Sequence, residues 1–296
     1  MKRELTSEYM EEVSKGFSVV FNDALKEANK DYLKIAMEVK ANTIVVDYRW
    51  LADLPTMREW INDRVLNKLS AWDYQIKKKD WESTISVHRD VVEYDDLGVV
   101  KPKIQDLANS VSDHYNAQVF GLLETNGNCY DGAPFFGEHE VGIGSATTTL
   151  TNVGANDLTK DGFFKTLKQM RRIVADNGVA IRIKPNLVVV PPELEAKAIE
   201  LFGCEKLGGS SNPLYGRCEV LVSPDLTDAK SWYLLDTTRA VKPIILQINK
   251  GAEFNALDNP NHNERAFMSN EFLYGINTQD NVGYGLWSLA FKNTIA

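Results

Sequence analysis

The sequence predicts an α+β protein, and three observations carry that reading. Ile104, Leu107, Val111, Tyr115, Val119 and Leu122 hold one apolar stripe at helical spacing. Trp81, Ser83, Ile85 and Val87 alternate with Glu82, Thr84, Ser86 and His88, the period of a strand. Beyond residue 160, helical patterns alternate with short apolar runs, and the C-terminal fifth is rich in strand formers.

Taken in order, residues 1–30 predict an amphipathic arm. Phe17, Val20, Phe21 and Leu25 fall at helical spacing with charges on the other faces, and so short a piece is expected to be mobile or to dock on a partner. Residues 43–48 are β-rich, and Pro55 precedes a short helical stretch, 57–69, that carries Trp60, Val65 and Leu69. The alternation that follows predicts two strands meeting near Lys77, Lys78 and Lys79. The result is a hairpin over 74–92 with a charged tip, able to bury little of itself within one subunit.

Asp95 or Asp96 can cap the long helix, Pro102 suits its first turn, and Asn126-Gly127-Asn128 stops it. From residue 101 to 124 that helix is roughly 36 Å long. Residues 126–160, rich in Gly, Asn and Thr, read as loops. Helices are then expected at 161–177 and 192–202, and strands at 186–190, 219–222, 231–235, 244–248, 267–276 and 283–291. Gly283-Tyr284-Gly285 marks a bend or a close backbone approach.

Composition narrows the function. A chain of 296 residues with 44% hydrophobic and 25% charged residues is neither fibrous nor disordered. No apolar run approaches the roughly 18 residues of a membrane span, and acids stand where a signal peptide would be apolar, so synthesis in the cytoplasm is expected. A net charge of −8 argues against gripping nucleic-acid phosphates. Cys129, Cys204 and Cys218 form no CxxC pair, which speaks against a disulfide framework or zinc site.

Each chemical candidate has a plainer reading. His88-Arg89-Asp90 has the letters of the kinase catalytic triplet without its Asn or any phosphate loop, so a salt bridge at the hairpin end is preferred. Gly142-Ile143-Gly144-Ser145 could cradle an anion, yet no P-loop lysine follows, and a flexible loop is the better reading. Cys129 and His139 could form a nucleophile pair, though a loop thiol is preferred. Glu138, His139 and Glu140 could hold a surface metal ion, but adjacency aims successive side chains apart. Glu93, Asp95 and Asp96 already serve the helix dipole. Trp50, Trp60, Trp72 and Trp81 suit core or interface packing better than base stacking. No catalytic residue, cofactor site or metal site is expected.

The order arm, hairpin, long helix, α/β passage and β-rich close resembles the tailed-phage major capsid fold of the Hong Kong 97 type. At the level of motifs the chain is similar to the Mu-like phage major head subunits, the gpT family. The residues that carry this are Tyr48-Arg-Trp-Leu51, Pro55-Thr-Met-Arg-Glu-Trp60, Lys79-Asp-Trp-Glu-Ser-Thr-Ile85, Arg89-Asp90 and Asp96-Leu-Gly98. Further on they are Tyr130-Asp-Gly-Ala-Pro-Phe-Phe136, the run from Ile183 to Leu194, Trp232-Tyr-Leu-Leu-Asp236 and Val241-Lys-Pro243. Phe267-Met268 and Asn281-Val-Gly-Tyr-Gly-Leu-Trp287 complete the set. One departure is Gln247-Ile-Asn-Lys250, where the family is expected to read Gln-Glu-Arg.

The resemblance implies residues 1–30 as N-terminal arm and 31–96 as extended loop with a peripheral-domain strand and helix. It implies 97–150 as spine helix and peripheral domain, 151–240 as axial domain and 241–296 as a β return to the peripheral domain. It also implies a major capsid protein, not an enzyme and without cofactor, whose copies close into pentamers and hexamers and then an icosahedral shell around loosely contained double-stranded DNA. Lys77, Lys78, Lys79, Trp81 and Arg89 become candidate subunit contacts. Implied partners are other copies, a scaffold or protease, a portal and decoration proteins, with no membrane; the implied locations are the host cytoplasm during assembly and then the virion capsid. Two rivals are an encapsulin-type compartment, which would need a cargo pocket, and an α/β enzyme with a concave polar site.

Overall fold

The computed structural model describes residues 4–48, 51, 74–94, 97–143, 146–175, 178–259 and 264–295. The helix expected at 57–69, Trp50, Trp60, Trp72, the caps Asp95 and Asp96, and Gly144-Ser145 lie outside the described residues. In chain order come α1 (Ser7–Glu27), α2 (Tyr32–Ile35), β1 (Ala36–Lys40), β2 (Val45–Asp47), β3 (Gln75–Lys77), β4 (Lys79–His88), α3 (Arg89–Glu93) and α4 (Leu97–Thr125). Next are β5 (Glu138–Ile143), β6 (Ala146–Thr151), β7 (Val153–Gly154), α5 (Lys160–Arg171), β8 (Leu187–Val190), α6 (Glu195–Gly203), β9 (Lys206–Leu207) and β10 (Ser210–Ser211). The chain closes with β11 (Glu219–Val222), β12 (Ser231–Leu235), β13 (Ile244–Leu257), α7 (Glu264–Ser269), β14 (Glu271–Tyr284) and β15 (Ala290–Thr294).

Two sheets organise these elements. The first has the order β1-β13-β14-β4, with β1 parallel to β13 and the other pairs antiparallel. The second has the order β11-β8-β12-β15-β7. Its central strands are buried throughout, as the unbroken runs Leu-Val-Val-Val and Ser-Trp-Tyr-Leu-Leu require when both faces are covered. There α6 packs on β8 and β11, and α5 on β15.

The segment 241–296 is therefore divided: β13 and β14 belong to the first sheet and β15 to the second. Two of the three passages between the sheets, 236–243 and 285–289, run side by side; the third leads from β4 to β7 through α4 and the β5–β6 hairpin. Asp236 N–H donates to the Leu289 carbonyl at 2.9 Å, and Gly285 N–H donates to the Pro243 carbonyl at 2.7 Å.

Helix α4 forms where its stripe predicts and buries more than that stripe. Ile104, Leu107, Val111, Tyr115 and Val119 are buried, and so are Ala108, Ser112, Asn116 and Phe120 on an adjoining face. That second face is covered by the link between α1 and α2: Asn116 Oδ1 accepts the Tyr32 N–H at 2.8 Å, and the Ser112 hydroxyl bonds the Asn29 carbonyl. The helix begins at Leu97, so Pro102 lies inside it and not in its first turn.

One face of the arm is docked on its own chain. Thr6 caps α1 through the Tyr9 N–H, and Met10, Val13, Phe17 and Phe21 are buried against α4 and the β13–β14 hairpin. Phe17 meets Tyr274 edge-on at 5.1 Å, Phe21 lies 5.7 Å from Phe254, and the Ser14 hydroxyl bonds the Asp258 carboxylate. The physical reason is area: each buried aromatic contributes roughly 2–3 kcal/mol, which a 21-residue helix collects on its own chain.

The hairpin expected over 74–92 is not formed. Strand β3 pairs with β2, whereas β4 pairs with β14 from Lys79↔Asp280 to His88↔Glu271. Only Lys78 separates β3 from β4, one residue fewer than the tightest common hairpin loop needs, so the chain steps straight from one sheet to the other. The long hairpin of this molecule is β13–β14, with irregular register at Ile248, Lys250 and Glu253. Residues 126–160 also depart from expectation, because β5 and β6 form a hairpin within them. Their Thr-rich alternation has strand character without an apolar face to announce it.

Candidate functional site

The five residues expected at a subunit contact divide between two ends of the first sheet. Lys77 closes β3, and its carbonyl accepts from the Asn281 side chain at 2.7 Å. Lys78 pairs with Asp80 at 2.7 Å, and the Lys79 ammonium lies 6.0 Å from the Trp81 ring centre. Trp81 is 36% exposed; its indole N–H donates to the Asp280 carbonyl at 3.4 Å, and its ring meets His114 at 4.6 Å. Arg89 stands beyond the far end of β4, its guanidinium on Glu93 at 3.0 Å and its backbone N–H on the Asn270 carbonyl. The structure thus gathers Lys77 to Trp81 at one corner and does not bring Arg89 there. His88 Nδ1 lies 3.3 Å from the Asp90 carboxylate at the start of α3, so the triplet is a local contact there and not at the end of a hairpin.

Behind Trp81 lies a buried polar cluster that ties α4 to β14. Asp280 is fully buried; one carboxylate oxygen meets His114 Nε2 at 3.1 Å and Gln118 Nε2 at 2.8 Å, and the other accepts the Thr278 hydroxyl at 2.9 Å. The Tyr115 hydroxyl lies 3.2 Å from that of Thr278. Sequence reading missed this cluster, although a signal existed. Phe272, Tyr274, Ile276, Thr278 and Asp280 share one phase of β14, so an aspartate falls on the inward face. At the departure Gln247-Ile-Asn-Lys250, Lys250 pairs with Glu253 at 2.7 Å, and Gln247 Oε1 accepts the Tyr48 hydroxyl.

Cys129, Asp131 and His139 meet in the turn after α4. Gly132, at φ 80°, lets the chain fold back so that Asp131 stands between the other two. The Cys129 thiol donates to Asp131 Oδ1 at 2.9 Å, and His139 Nδ1 lies 2.6 Å from Asp131 Oδ2. His139 is fully buried, stacked flat on Trp287 at 3.9 Å, with Nε2 3.3 Å from the Phe135 carbonyl. Burial, reinforced by the Asp131 charge, pushes the thiol pKa far up. Burial also works to raise Asp131, but the hydrogen bonds from His139 and Cys129 outweigh it and hold the carboxyl below its ordinary range.

A thiol held protonated, with a carboxylate between it and the imidazole, is not a nucleophile paired with its base. Glu138, His139 and Glu140 do not share a surface site, in keeping with the argument that adjacency aims their side chains apart. Strand β5 turns His139 inward and leaves both glutamates exposed, following the two-residue alternation of a strand.

A polar recess of about 260 Å³ lies between α4 and residues 222–225 and carries Asp31, Asp113, Asp225 and Ser223. Burial, then the Asp113 charge, raises the Asp225 carboxyl. Its lining also includes Asn29 and Asn116, so the polar groups are carboxylates, amides and one hydroxyl, with no histidine, lysine or cysteine. Among the described residues, Phe267 and Met268 of α7 form a prominent exposed apolar pair, 88% and 73% exposed, at the turn of the β13–β14 hairpin. No described helix is long and apolar enough to cross a membrane.

Comparison with known proteins turns on this framework. The sequence profile of the Mu-like prophage major head subunit gpT matches residues 10–157, 149–226 and 225–295. The Mu-like prophage FluMu major head subunit of Haemophilus influenzae is 29% identical over 278 residues, covering 93% of this chain and 70% of that protein. The major capsid protein of Escherichia phage Mu is also 29% identical, over 91% of this chain and 68% of its own length. Among solved structures, a subunit from the procapsid of bacteriophage JBD30 superposes with a TM-score of 0.68 at 27% identity, over 99% of this chain and 77% of that one. The virus-like particle of Pyrococcus furiosus superposes with a TM-score of 0.54 over 94% and 98%, at 9% identity, a likeness of fold alone.

Proposed function

The chain belongs to the Mu-like prophage major head subunit gpT family, and from that premise we propose how its two sheets build a phage head. It is the major capsid protein of a Mu-like phage, and its work is structural. Copies close into five- and six-membered rings, and the rings into an icosahedral shell around double-stranded DNA. The single observation that carries this reading is the family match, which spans both sheets and α4.

In this reading the first sheet with α1 and α4 is the peripheral domain, and the second sheet with α5 and α6 is the axial domain. Ring closure requires heterologous contacts, in which one patch meets a different patch on the neighbour. The corner of Lys77, Lys78, Lys79 and Trp81 supplies one patch. The apolar pair Phe267-Met268 supplies another, at the end of the sheet where Arg89 also stands. A net charge of −8 suits a container that holds DNA without gripping it. Assembly takes place in the host cytoplasm with a scaffold or protease, a portal and decoration proteins as partners.

Negative-stain microscopy of the chain expressed alone and with its neighbouring genes tests the proposal. Shells, tubes or isolated hexamers and pentamers are expected. A uniform small oligomer under every condition overturns it.

A further inference from the structure

We propose that Cys129, Asp131 and His139 form a structural metal site for a divalent cation of borderline softness, Zn²⁺ before others. The three groups offer a sulfur, an oxygen and a nitrogen, all within 4.8 Å of one another. Thiolate with imidazole selects zinc over magnesium or calcium, and carboxylate completes an accepted ligand set.

Hydrogen-bond accounting points the same way. His139 presents both ring nitrogens to oxygen acceptors, Nδ1 to Asp131 and Nε2 to the Phe135 carbonyl. A neutral imidazole has one N–H and cannot serve both. A neutral ring therefore leaves one of these two buried contacts unmade. A cation on Nδ1 resolves this, leaving one proton on Nε2 for Phe135. That outer bond is the kind that fixes the tautomer of a metal-bound histidine. Asp131 has an outer bond too, from the Ala133 N–H at 3.1 Å.

The exchange balances. Binding one divalent cation displaces the protons from Cys129 Sγ and His139 Nδ1. What remains is thiolate, carboxylate, neutral imidazole and the cation, net zero, as a buried site demands. The present separations of 2.6 and 2.9 Å are hydrogen bonds that open slightly to admit the ion. The fourth tetrahedral position falls to a water or a carbonyl of the 132–136 turn. The ion would pin the end of α4 to Trp287, on which His139 is stacked.

The test uses the full chain, stripped with a chelator and titrated with Co²⁺, then with Zn²⁺. One equivalent of Co²⁺ should give thiolate-to-cobalt charge-transfer absorption with tetrahedral visible bands, and Zn²⁺ should bleach them and raise the melting temperature. Cys129→Ser keeps a donor to Asp131, so the turn can fold, and it should lose the band and the thermal shift. Cys218→Ser, at a buried thiol elsewhere, should keep both. Absence of the band in the folded wild type overturns the site, as does a band that survives Cys129→Ser. A band lost only in Cys204→Ser, at the exposed thiol, overturns it equally.

Discussion

At position 285 glycine is the residue the backbone allows. A Cβ there would overlap the Lys242 carbonyl oxygen and come 3.1 Å from that of Pro243, and main-chain acceptors cannot swing aside. Gly285→Ala is expected to cost on the order of 3 kcal/mol, read as a lowered urea midpoint; an unchanged midpoint means the approach is looser than described. This constraint was legible in the sequence, since two glycines around Tyr284 inside a strand-like run call for a close approach. The polar clusters were less so. Asp280 is a lone acid whose partners His114 and Gln118 lie more than 160 residues earlier, and no local pattern joins them. Cys129 and His139 drew notice as a pair, but Asp131 between them, which changes their chemistry, became visible only with the turn.

At the scale of elements, α4 was the clearest expectation, because a stripe sustained at helical spacing needs no partner to be recognised. It starts at Leu97, four residues before the expected 101, which places Pro102 in the helix interior. The ring removes the N–H that would have reached the Gly98 carbonyl, four residues earlier, and crowds that turn. Pro102→Ala should therefore stabilise the chain by up to about 3 kcal/mol. Denaturant titration checks this, and a lowered midpoint would mean the proline is needed where it stands. The hairpin of 74–92 failed for a reason periodicity cannot see: alternation tells that a segment is strand, never which strand it joins. Both β3 and β4 are strands as read, and their partners β2 and β14 come from opposite ends of the chain.

For the whole molecule, architecture was readable and assembly surfaces were only partly so. Phe267 and Met268 contribute little to their own chain's core, so replacing both with serine should leave the melting temperature within experimental error and sharply reduce particle yield. Loss of folded monomer, or particles at the normal yield, would each refute that division of labour. Two of the passages between the sheets hold one another. Because 236–243 and 285–289 are bonded to each other, the chain has no single-stranded waist about which one half could swing on the other. A closed shell needs identical chains at places of different curvature, flatter in some rings and more sharply domed in others. Paired passages resist bending inside the subunit, so that difference in tilt is expected to fall where one copy meets the next.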